Sequence, residues 1–472
     1  MPSTHPLELP EIVLSVALFV PQNSLPACAL VSKAWHQIFN PFIWRVVKLD
    51  SKRPYPPKAI QNHCELVKAL VIRRVPTLGH TTLRYPKLVS LEARCSLNGP
   101  DIMKFVDYHP FITHLSLWSF WPKSQPCLWD KLLGLRNLKA LALSCLVVGE
   151  EDADKFWKLC TDIERLDIRH LRITGRGTLS SREFRHIKEL TLGLFDGVTV
   201  PLCIEFMQKC PGLTSFEWTA NREVDKHFIP KLTRLIAART WPDLHRMFVG
   251  TFEITDSDLS MIIGSMQRIT AFHHYSSESF GQKSMEQLQP HFSNLRVLDI
   301  RPKDDTINAI GQEVLSSCPL LERLTAPRVD GTAVADGKPW VCSRLKALEI
   351  SFCFDPSTIQ RIQPLVLDQL SKLTRLQELN MWGLKGPHFP IESRFQGSID
   401  LRLENGLEKL STLRALRIIT FKGTEQRMGE REIDWILEYW TNLECVYGTL
   451  NEWELQIDKR LKERLQMHGI ST

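Results

Sequence analysis

Residues 138–143 read LKALAL, and residues 163–168 read IERLDI. Both follow the apolar pattern L-x-x-L-x-L, which returns along the chain at intervals that average about 27 residues. Further clear copies begin at Ile187, Leu295, Leu321, Leu345, Leu376 and Leu413, and weaker copies begin at Val67, Leu88, Ile112, Leu213, Leu244, Ile269 and Leu443. The chain therefore contains about 15 irregular copies of one structural unit.

Each copy carries two kinds of apolar spacing. The L-x-x-L-x-L segment alternates as a strand does, whereas apolar residues between these segments recur at helical spacing, as at Ile102, Phe105 and Val106. Neither element can bury its apolar face alone, so neighbouring copies must stack to form one continuous core. The sequence predicts an α/β fold, a leucine-rich-repeat solenoid with a curved parallel sheet on its concave side and helices outside.

Composition narrows the functions that the chain can have. Hydrophobic residues make up 43% and charged residues 24%, which is enough apolar surface for a packed core. The net charge of +6 is spread over 472 residues, without the basic stripe typical of nucleic-acid binders.

The twelve cysteines show no zinc-ligand spacing, and several recur at the same position of the repeat, as in Cys210-Pro211 and Cys318-Pro319, so we expect reduced, packed thiols. We expect no metal, no cofactor and no nucleic-acid partner.

The apolar run of residues 12–20 invites comparison with a signal peptide. Glu8 and Glu11 precede the run where a signal peptide carries basic residues, and Pro10 and Pro21 bracket it as helix punctuation. The run is also too short to span a bilayer. We interpret it as a helix of a folded module, and the absence of any Asn-x-Ser/Thr acceptor favours an intracellular location, in cytoplasm or nucleus.

An N-terminal module of three short helices is predicted over residues 9–45. Pro10 suits a first helical turn, Pro21-Gln22-Asn23 breaks the chain, and Pro41 is expected to stop the third helix. A module of about forty residues buries little surface, so its exposed apolar residues invite a partner. The predicted domains are the docking module 1–50, a proline-rich linker 51–57, the solenoid 58–450 and a C-terminal capping helix within 451–472.

The module resembles an F-box of the fungal type. Leu9-Pro10-Glu11-Ile12, then LVSKAW at residues 30–35, and finally Trp44-Arg45 match the F-box motif in order and spacing. With repeats behind it, the chain is similar to F-box/leucine-rich-repeat proteins. The resemblance implies docking onto a Skp-type adaptor and through it onto a cullin-RING ubiquitin ligase. By this resemblance, the residues expected to contact the adaptor are Leu9, Pro10, Ile12, Leu30, Val31, Trp35 and Trp44.

The strands predict where a protein substrate would bind. Side chains alternate along a strand, so the second, fourth and sixth residues after each opening leucine should face the concave side. Aromatic residues and arginines are typical interface anchors. The predicted substrate contacts are therefore Arg246, Phe248, His273, Tyr275, Arg301 and Trp382. Two long insertions, residues 328–340 and 382–397, are alternative contact loops.

Sequence motifs of enzymes are absent: there is no Walker A loop, no G-x-S-x-G, no H-E-x-x-H and no G-x-G-x-x-G. His273 and His274 should point to opposite faces of a strand, and Asp256-Ser257-Asp258 is expected to cap a helix rather than bind calcium. No catalytic residue is predicted. The first hypothesis is a non-enzymatic substrate receptor of a ubiquitin ligase, and the alternatives are an interaction scaffold without a link to ubiquitination and an unrecognised enzyme.

Overall fold

The structure, a computed structural model, is described for part of the chain. The described residues are 7, 9–22, 24–50, 57–73, 83–94, 104–118, 128–144, 147–169, 172–173, 177, 179–194, 200–220, 222–250, 254–274, 280–300, 308–382 and 398–472. They form two compact units, Met1–Leu213 and Thr214–Thr472.

The first unit begins with three helices, α1 (Pro10–Ala17), α2 (Leu25–Ala29) and α3 (Lys33–Ile43). Ser32 begins α3 because its hydroxyl accepts a hydrogen bond from the Trp35 backbone N–H at 3.1 Å. The prediction that Pro41 ends this helix is wrong, since α3 continues to Ile43. A proline so close to the end removes only one hydrogen bond of the last turn, and the helix absorbs that loss.

A parallel sheet follows in the first unit, with its strands side by side in chain order. The strands are β1 (Val46–Asp50), β2 (Ala69–Arg73), β3 (Ser90–Arg94), β4 (His114–Trp118), β5 (Ala140–Ser144), β7 (Arg165–Arg169) and β9 (Glu189–Leu194), while β6 (Val147–Val148) and β8 (Arg172–Ile173) form a separate pair. Between them lie helices Pro57–Gln61, Leu128–Leu133 and Glu150–Cys160 and the 3-10 turns Cys64–Leu66 and Leu179–Ser181, and helix Val200–Gln208 follows β9.

The second unit repeats this arrangement, with parallel strands side by side in chain order. The strands are β10 (Ser215–Ala220), β11 (Arg246–Val249), β12 (Ala271–His274), β13 (Val297–Ile300), β14 (Arg323–Asp330), β15 (Ala347–Cys353), β16 (Glu378–Met381), β17 (Ile418–Thr420) and β18 (Cys445–Tyr447). The helices are Arg222–Ala237, Asp256–Ser265, Gln282–Leu288, Asn308–Ser317, Gly331–Ala335, Ile359–Ser371, Glu430–Tyr439 and Leu455–Met467, with 3-10 turns at Gln289–His291, Leu403–Asn405 and Leu407–Thr412. One strand and one outer helix or turn per repeat make this a leucine-rich-repeat solenoid fold.

The register of the strands explains the repeat pattern. If the opening leucine is position 1, positions 4 and 6 are buried, as Leu166 and Ile168 are in β7. Positions 3, 5 and 7 lie on the opposite side, where Asp167 and Arg169 are partly exposed. We call this side of the strands the open face. Strand alternation thus confirms the predicted division between core and surface residues.

Strand β1 corrects the predicted boundary of the docking module. Its residues pair in register with β2, with Val46 opposite Ala69 and Asp50 opposite Arg73. Residues 46–50 therefore belong to the sheet and not to the module predicted over 1–50. In this register Trp44 occupies position 1, and because a tryptophan stands there instead of a leucine, the first repeat escapes a search for L-x-x-L-x-L.

The copy that begins at Leu413 is also displaced from its predicted register. Ile418 pairs with Glu378, and the Arg417 N–H donates to the Gln377 carbonyl at 2.8 Å, the bond made by position 2 in other repeats. Position 1 is therefore Leu416, three residues later than predicted. Leu413 and Leu416 are both buried, so the sequence offers two overlapping frames that only the sheet pairing distinguishes.

The last strand, β18, is covered by the C-terminal segment. Leu461 and Leu465 of helix Leu455–Met467 are buried. After the helix the chain returns to β18, where the Ser471 N–H donates to the Glu444 carbonyl and the Val446 N–H donates to the Ser471 carbonyl, both at 2.8 Å. These bonds satisfy backbone groups of a strand edge that would otherwise be open to pairing with another chain.

Candidate functional site

The N-terminal module has a small core of its own. Val13, Ala17, Leu25, Ala29 and Phe39 are buried together, and the Trp35 ring stacks on Phe39 with centroids 5.3 Å apart. The Trp35 indole N–H also donates to the Leu7 carbonyl at 3.4 Å, which ties the segment before α1 to α3. These contacts fix the helices with one side of α1 turned inward.

The other side of α1 is also apolar and has no cover among the described residues. In α1 the polar side chains are Glu11 and Ser15, and both are exposed. Exposed apolar side chains of the module form what we call the apolar patch: Leu7, Leu9, Ile12, Leu14, Leu18, Phe19, Leu30 and Val31. Phe19 and Leu30 are each 86% exposed, and contact of such large apolar side chains with water is unfavourable. A helix that is apolar all round is normally buried, so this surface is suited to a partner.

The residues that the F-box resemblance assigns to adaptor contact fall into two groups. Leu9, Pro10, Ile12, Leu30 and Val31 are exposed on the module. Trp35 is half-buried in the module core, and Trp44 stacks on His63 with centroids 4.3 Å apart, at the start of the first repeat. The exposed group is therefore placed to touch a partner, whereas the two tryptophans hold the module and its junction with the sheet.

Motif matching missed part of this patch. Leu14, Leu18 and Phe19 are more exposed than Leu9 or Ile12, yet they lie outside the quoted motif positions. The signal was present in the sequence, because the run IVLSVALF at residues 12–19 has no polar face for water. A helix of a small module with apolar residues on every side predicts a partner without reference to any family.

The second candidate surface is the open face of the second unit. Phe248 on β11 and His273 on β12 are adjacent in register, with ring centroids 5.6 Å apart. His273 Nδ1 lies 3.6 Å from Asp299 Oδ2 on β13, and Asp299 is only 6% exposed. Arg246 is exposed two residues before Phe248 on the same strand. The structure therefore brings three of the six predicted substrate contacts, Arg246, Phe248 and His273, into one cluster.

The other predicted substrate contacts are not part of that cluster. Trp382 is 40% exposed and follows β16 directly, four strands from β12, which is about 19 Å at the usual strand spacing. Tyr275 and Arg301 lie outside the described residues, as does the insertion 383–397. A ligand on the cluster would reach Trp382 only if it ran across the strands.

The insertion predicted as a contact loop at residues 328–340 is largely packed structure. It completes β14 and forms helix Gly331–Ala335. Arg328 and Trp340 are buried, and the Trp340 indole N–H donates to Gln312 Oε1 at 2.7 Å. This prediction was wrong because insertion length alone cannot distinguish a loop from an additional strand end and helix.

The adjacent histidines point to opposite sides of β12, as predicted. His273 faces the open side, whereas His274 is 0% exposed in the core. Burial lowers the pKa of His274 to about 4, although its hydrogen bond from Nδ1 to the Val249 carbonyl at 3.1 Å favours the charged form. Within the described ranges no three His, Cys, Asp or Glu side chains are grouped so that they could hold a metal ion.

The predicted capping role of residues 256–258 is confirmed. The Thr255 hydroxyl accepts from the Asp258 N–H at 3.1 Å, and the Asp258 carboxylate accepts from the Thr255 backbone, forming a capping box. The Asp256 carboxylate instead caps the helix of the next repeat by accepting from the backbone N–H groups of Gly281, Lys283 and Ser284. The short acidic run therefore joins two repeats and is not a calcium loop.

Comparisons with known proteins do not assign the chain to a family. No protein-family model and no curated protein matches the chain. A chain in the structure of the Drosophila Toll–Spatzle complex is 12% identical with a TM-score of 0.35, and the match covers 86% of this chain and 54% of that one. A chain of the yeast Rad7 and Elc1 complex is 15% identical with a TM-score of 0.31, and the match covers 56% of this chain and 76% of that one.

This chain thus spans about half the length of the chain matched in the Toll–Spatzle structure. Identities and TM-scores this low leave function to be judged from the residues of this chain. In the part of the chain that the structure describes, no helix is both long and apolar enough to cross a membrane.

Proposed function

We propose that the chain is a substrate-recognition adaptor of a Skp/cullin/F-box ubiquitin ligase. In this proposal the module of residues 9–45 docks onto a Skp-type adaptor, and the open face of the repeats binds a protein substrate. The chain performs no bond chemistry itself. It acts by raising the effective concentration of the substrate beside the ligase.

The observation that carries the proposal is the apolar patch of the module. It contains four of the residues that match the F-box motif, Leu9, Ile12, Leu30 and Val31, and it lies on helices whose opposite sides already form a core. Covering one such exposed leucine or phenylalanine stabilises an interface by about 1.5–3 kcal/mol, or about 10- to 100-fold in affinity. A small module with eight exposed apolar side chains is therefore suited to tight docking.

The test is co-purification of the full chain with adaptor and cullin, scored by mass spectrometry. We expect the parent to retain a Skp-type adaptor, and the Leu9→Ala/Pro10→Ala and Leu30→Ala variants to lose it. Leu365→Ala is the matched control, because Leu365 is similarly exposed on helix Ile359–Ser371 but lies in the repeats. Thermal unfolding of each variant checks that the exposed substitutions leave the fold intact.

Failure of the parent to retain any adaptor would overturn the proposal and leave an interaction scaffold without a link to ubiquitination. Equal loss of adaptor with Leu365→Ala would show that docking does not use the apolar patch.

A further inference from the structure

The first four strands of the first unit begin with a row of neighbouring residues at position 2. The Lys68 N–H donates to the Arg45 carbonyl, and the Val89 N–H donates to the Lys68 carbonyl, both at 2.9 Å. Thr113 continues the row, since its N–H donates to the Val89 carbonyl at 2.8 Å. Neighbouring members are therefore one strand spacing apart, about 4.8 Å. Arg45, Lys68 and Val89 are exposed.

Further along the chain, cations at position 2 pair with acidic residues at position 2 of a neighbouring repeat. Lys139 Nζ lies 2.9 Å from Glu164 Oε1 in the first unit. Arg417 Nη2 lies 2.8 Å from Glu444 Oε2 in the second unit. Opposite charges placed side by side on neighbouring strands stabilise the pairing, whereas like charges destabilise it.

Arg45 and Lys68 depart from this arrangement, because they are adjacent cations. Positions 0 to 2 of the first four repeats hold no acidic residue, and the acidic residue nearest to Lys68 in the sequence is Glu65. No ion pair between described residues involves Arg45, Lys68 or Glu65. The two cations therefore repel each other in the free chain, and negative charge on a partner would relieve this repulsion.

The same strand starts carry apolar side chains in contact with water. Phe111, at position 0 of the fourth repeat, is 61% exposed, and Val89 is 38% exposed. Lys87, at position 0 of the third repeat, is also exposed and takes part in no ion pair between described residues. We call this mixed basic and apolar region the strand-start surface and define it by Arg45, Lys68, Lys87, Val89 and Phe111.

A further cation lies beside the strand-start surface. The guanidinium carbon of Arg84 is 4.9 Å from the centroid of the Tyr108 ring, a cation–π distance. Arg84 and Tyr108 come three residues before Lys87 and Phe111, respectively, and both are exposed. The contact restricts both side chains before a partner arrives, which lowers the entropic cost of binding.

We propose that the strand-start surface binds an acidic segment of a protein partner. An apolar residue of that segment packs on Phe111 and Val89, and two Asp or Glu residues within about four positions of it meet Lys87, Lys68 and Arg45. Strands β1 and β4 are three spacings apart, about 14 Å, which four or five extended residues cover at about 3.3 Å each. The surface is separate from the apolar patch and from the open face, so the inference goes beyond the proposed function.

Nucleic acid fits this surface less well than an acidic peptide. Single-stranded nucleic acid needs a series of aromatic side chains on which successive bases stack. One aromatic ring, Phe111, belongs to the strand-start surface, and the Tyr108 ring beside it already has the Arg84 guanidinium near it. Val89 offers an aliphatic contact, which suits an apolar side chain of a peptide.

The experiment is selection of a display library of random 12-residue peptides on the full chain. Peptides that bind elsewhere are first removed on the chain with Lys68→Glu, Lys87→Glu and Phe111→Ala combined. The selected peptides are then measured by fluorescence polarisation against the parent and the single variants Lys68→Gln, Lys68→Glu, Lys87→Glu and Phe111→Ala. Competing probes are an oligonucleotide of twenty thymidines and vesicles of phosphatidylserine.

Two controls carry the same kinds of substitution on the second unit. Lys338→Glu reverses an exposed lysine, and Leu365→Ala removes an apolar side chain that is 44% exposed. Thermal unfolding accompanies each variant. Lys68→Glu places a carboxylate beside Arg45, as Glu164 lies beside Lys139, so it should unfold at a temperature no lower than the parent does while still losing the peptides.

We expect selected peptides in which two acidic residues accompany an apolar one. Affinity should fall about 3- to 10-fold in Lys68→Glu and Lys87→Glu and about 10-fold in Phe111→Ala, with a smaller loss in Lys68→Gln and none in the controls. Raising the salt from about 0.1 M to about 1 M shortens the screening length from about 10 Å to about 3 Å and should weaken binding.

Four results would overturn the inference: no peptide left after removal on the triple variant, selected peptides without acidic residues, equal loss in the controls, or tighter binding of the oligonucleotide or the vesicles. The outcome is separable from that of the proposed function. Lys68→Glu/Lys87→Glu should still capture the Skp-type adaptor, because its substitutions lie outside the module, and Leu9→Ala/Pro10→Ala should still bind the selected peptides.

Peptide binding by a parent that captures no adaptor would leave the strand-start surface as a peptide site of a scaffold and overturn the ligase proposal. Adaptor capture without peptide binding would overturn only the strand-start surface.

Discussion

Replacing His274 by phenylalanine should change how the stability of the second unit depends on pH. His274 is fully buried on β12, and its pKa is lowered to about 4 by burial. The pKa of this imidazole is about 6.5 in the unfolded chain. Above that pH the imidazole is neutral in both states, so the stability that its burial requires is fully present. As pH falls from about 6.5 towards 4, the unfolded chain takes up a proton that the folded chain resists, so stability is lost in that window.

The magnitude follows from the two pKa values. Linkage gives a loss in the free energy of unfolding of about 2 kcal/mol at pH 5 and about 3 kcal/mol at pH 4, relative to pH 7. In His274→Phe this loss is absent. At pH 7 the variant should be less stable by about 1 kcal/mol, because the Val249 carbonyl loses the hydrogen bond from Nδ1.

The assay is urea unfolding followed by tryptophan fluorescence at pH 7, 6, 5 and 4.5, with the parent, His274→Phe and His273→Phe. His273 is the matched control, because it is the adjacent histidine on the same strand but faces the open side. The stability difference between His274→Phe and the parent should shift in favour of the variant by about 2 kcal/mol between pH 7 and pH 5. Parallel pH curves for these two proteins would refute the reasoning.

Two further substitutions test local parts of the fold. Asp256→Ala should lower the free energy of unfolding by about 1–3 kcal/mol, because three backbone N–H groups at residues 281–284 lose their acceptor. The fold holds the pKa of Asp256 below its usual range, so the parent should also lose stability as acid protonates this carboxylate. An unchanged urea midpoint in the variant would contradict the capping role. Phe39→Ala should cost about 3–5 kcal/mol in the N-terminal module, because Phe39 is buried at its centre. Hydrogen exchange should then rise across α1–α3 and stay unchanged from β2 onward, and protection retained in the module would be the contrary result.

Much of the fold could be predicted from the sequence because the same apolar pattern recurs in many repeats. A leucine at position 1 and apolar residues at positions 4 and 6 identify a strand wherever the sequence keeps this pattern, as at Leu138, Leu141 and Leu143. The rule fails where another residue takes position 1, as Trp44 does, and where two frames compete, as at Leu413 and Leu416. Both failures were resolved by hydrogen bonds to the neighbouring strand, which a single sequence does not contain.

The candidate surfaces could be predicted only in part. Alternation along a strand placed Arg246, Phe248 and His273 on one face, and the order of the repeats already separated Trp382 from His273 by four strands. Contacts between side chains of different repeats escaped prediction as well: the guanidinium carbons of Arg94 and Arg169 lie 5.6 and 5.3 Å from the centroid of the Trp118 ring, although the three residues come from three strands and are separated by up to 75 residues in the sequence. Which side chains lean towards a common neighbour depends on packing between repeats, and the pattern within one repeat carries no information on it.

The one-strand-per-repeat pairing has a thermodynamic consequence. In the second unit each strand bonds to strands one repeat before and after it, as Leu298 on β13 lies between Phe272 on β12 and Leu324 on β14. Folding free energy in such an array is close to a sum of nearest-neighbour terms. A destabilising substitution in one strand therefore weakens the adjacent repeats most, and its effect decreases with distance. Fraying of one repeat and binding on a remote one can be nearly independent events.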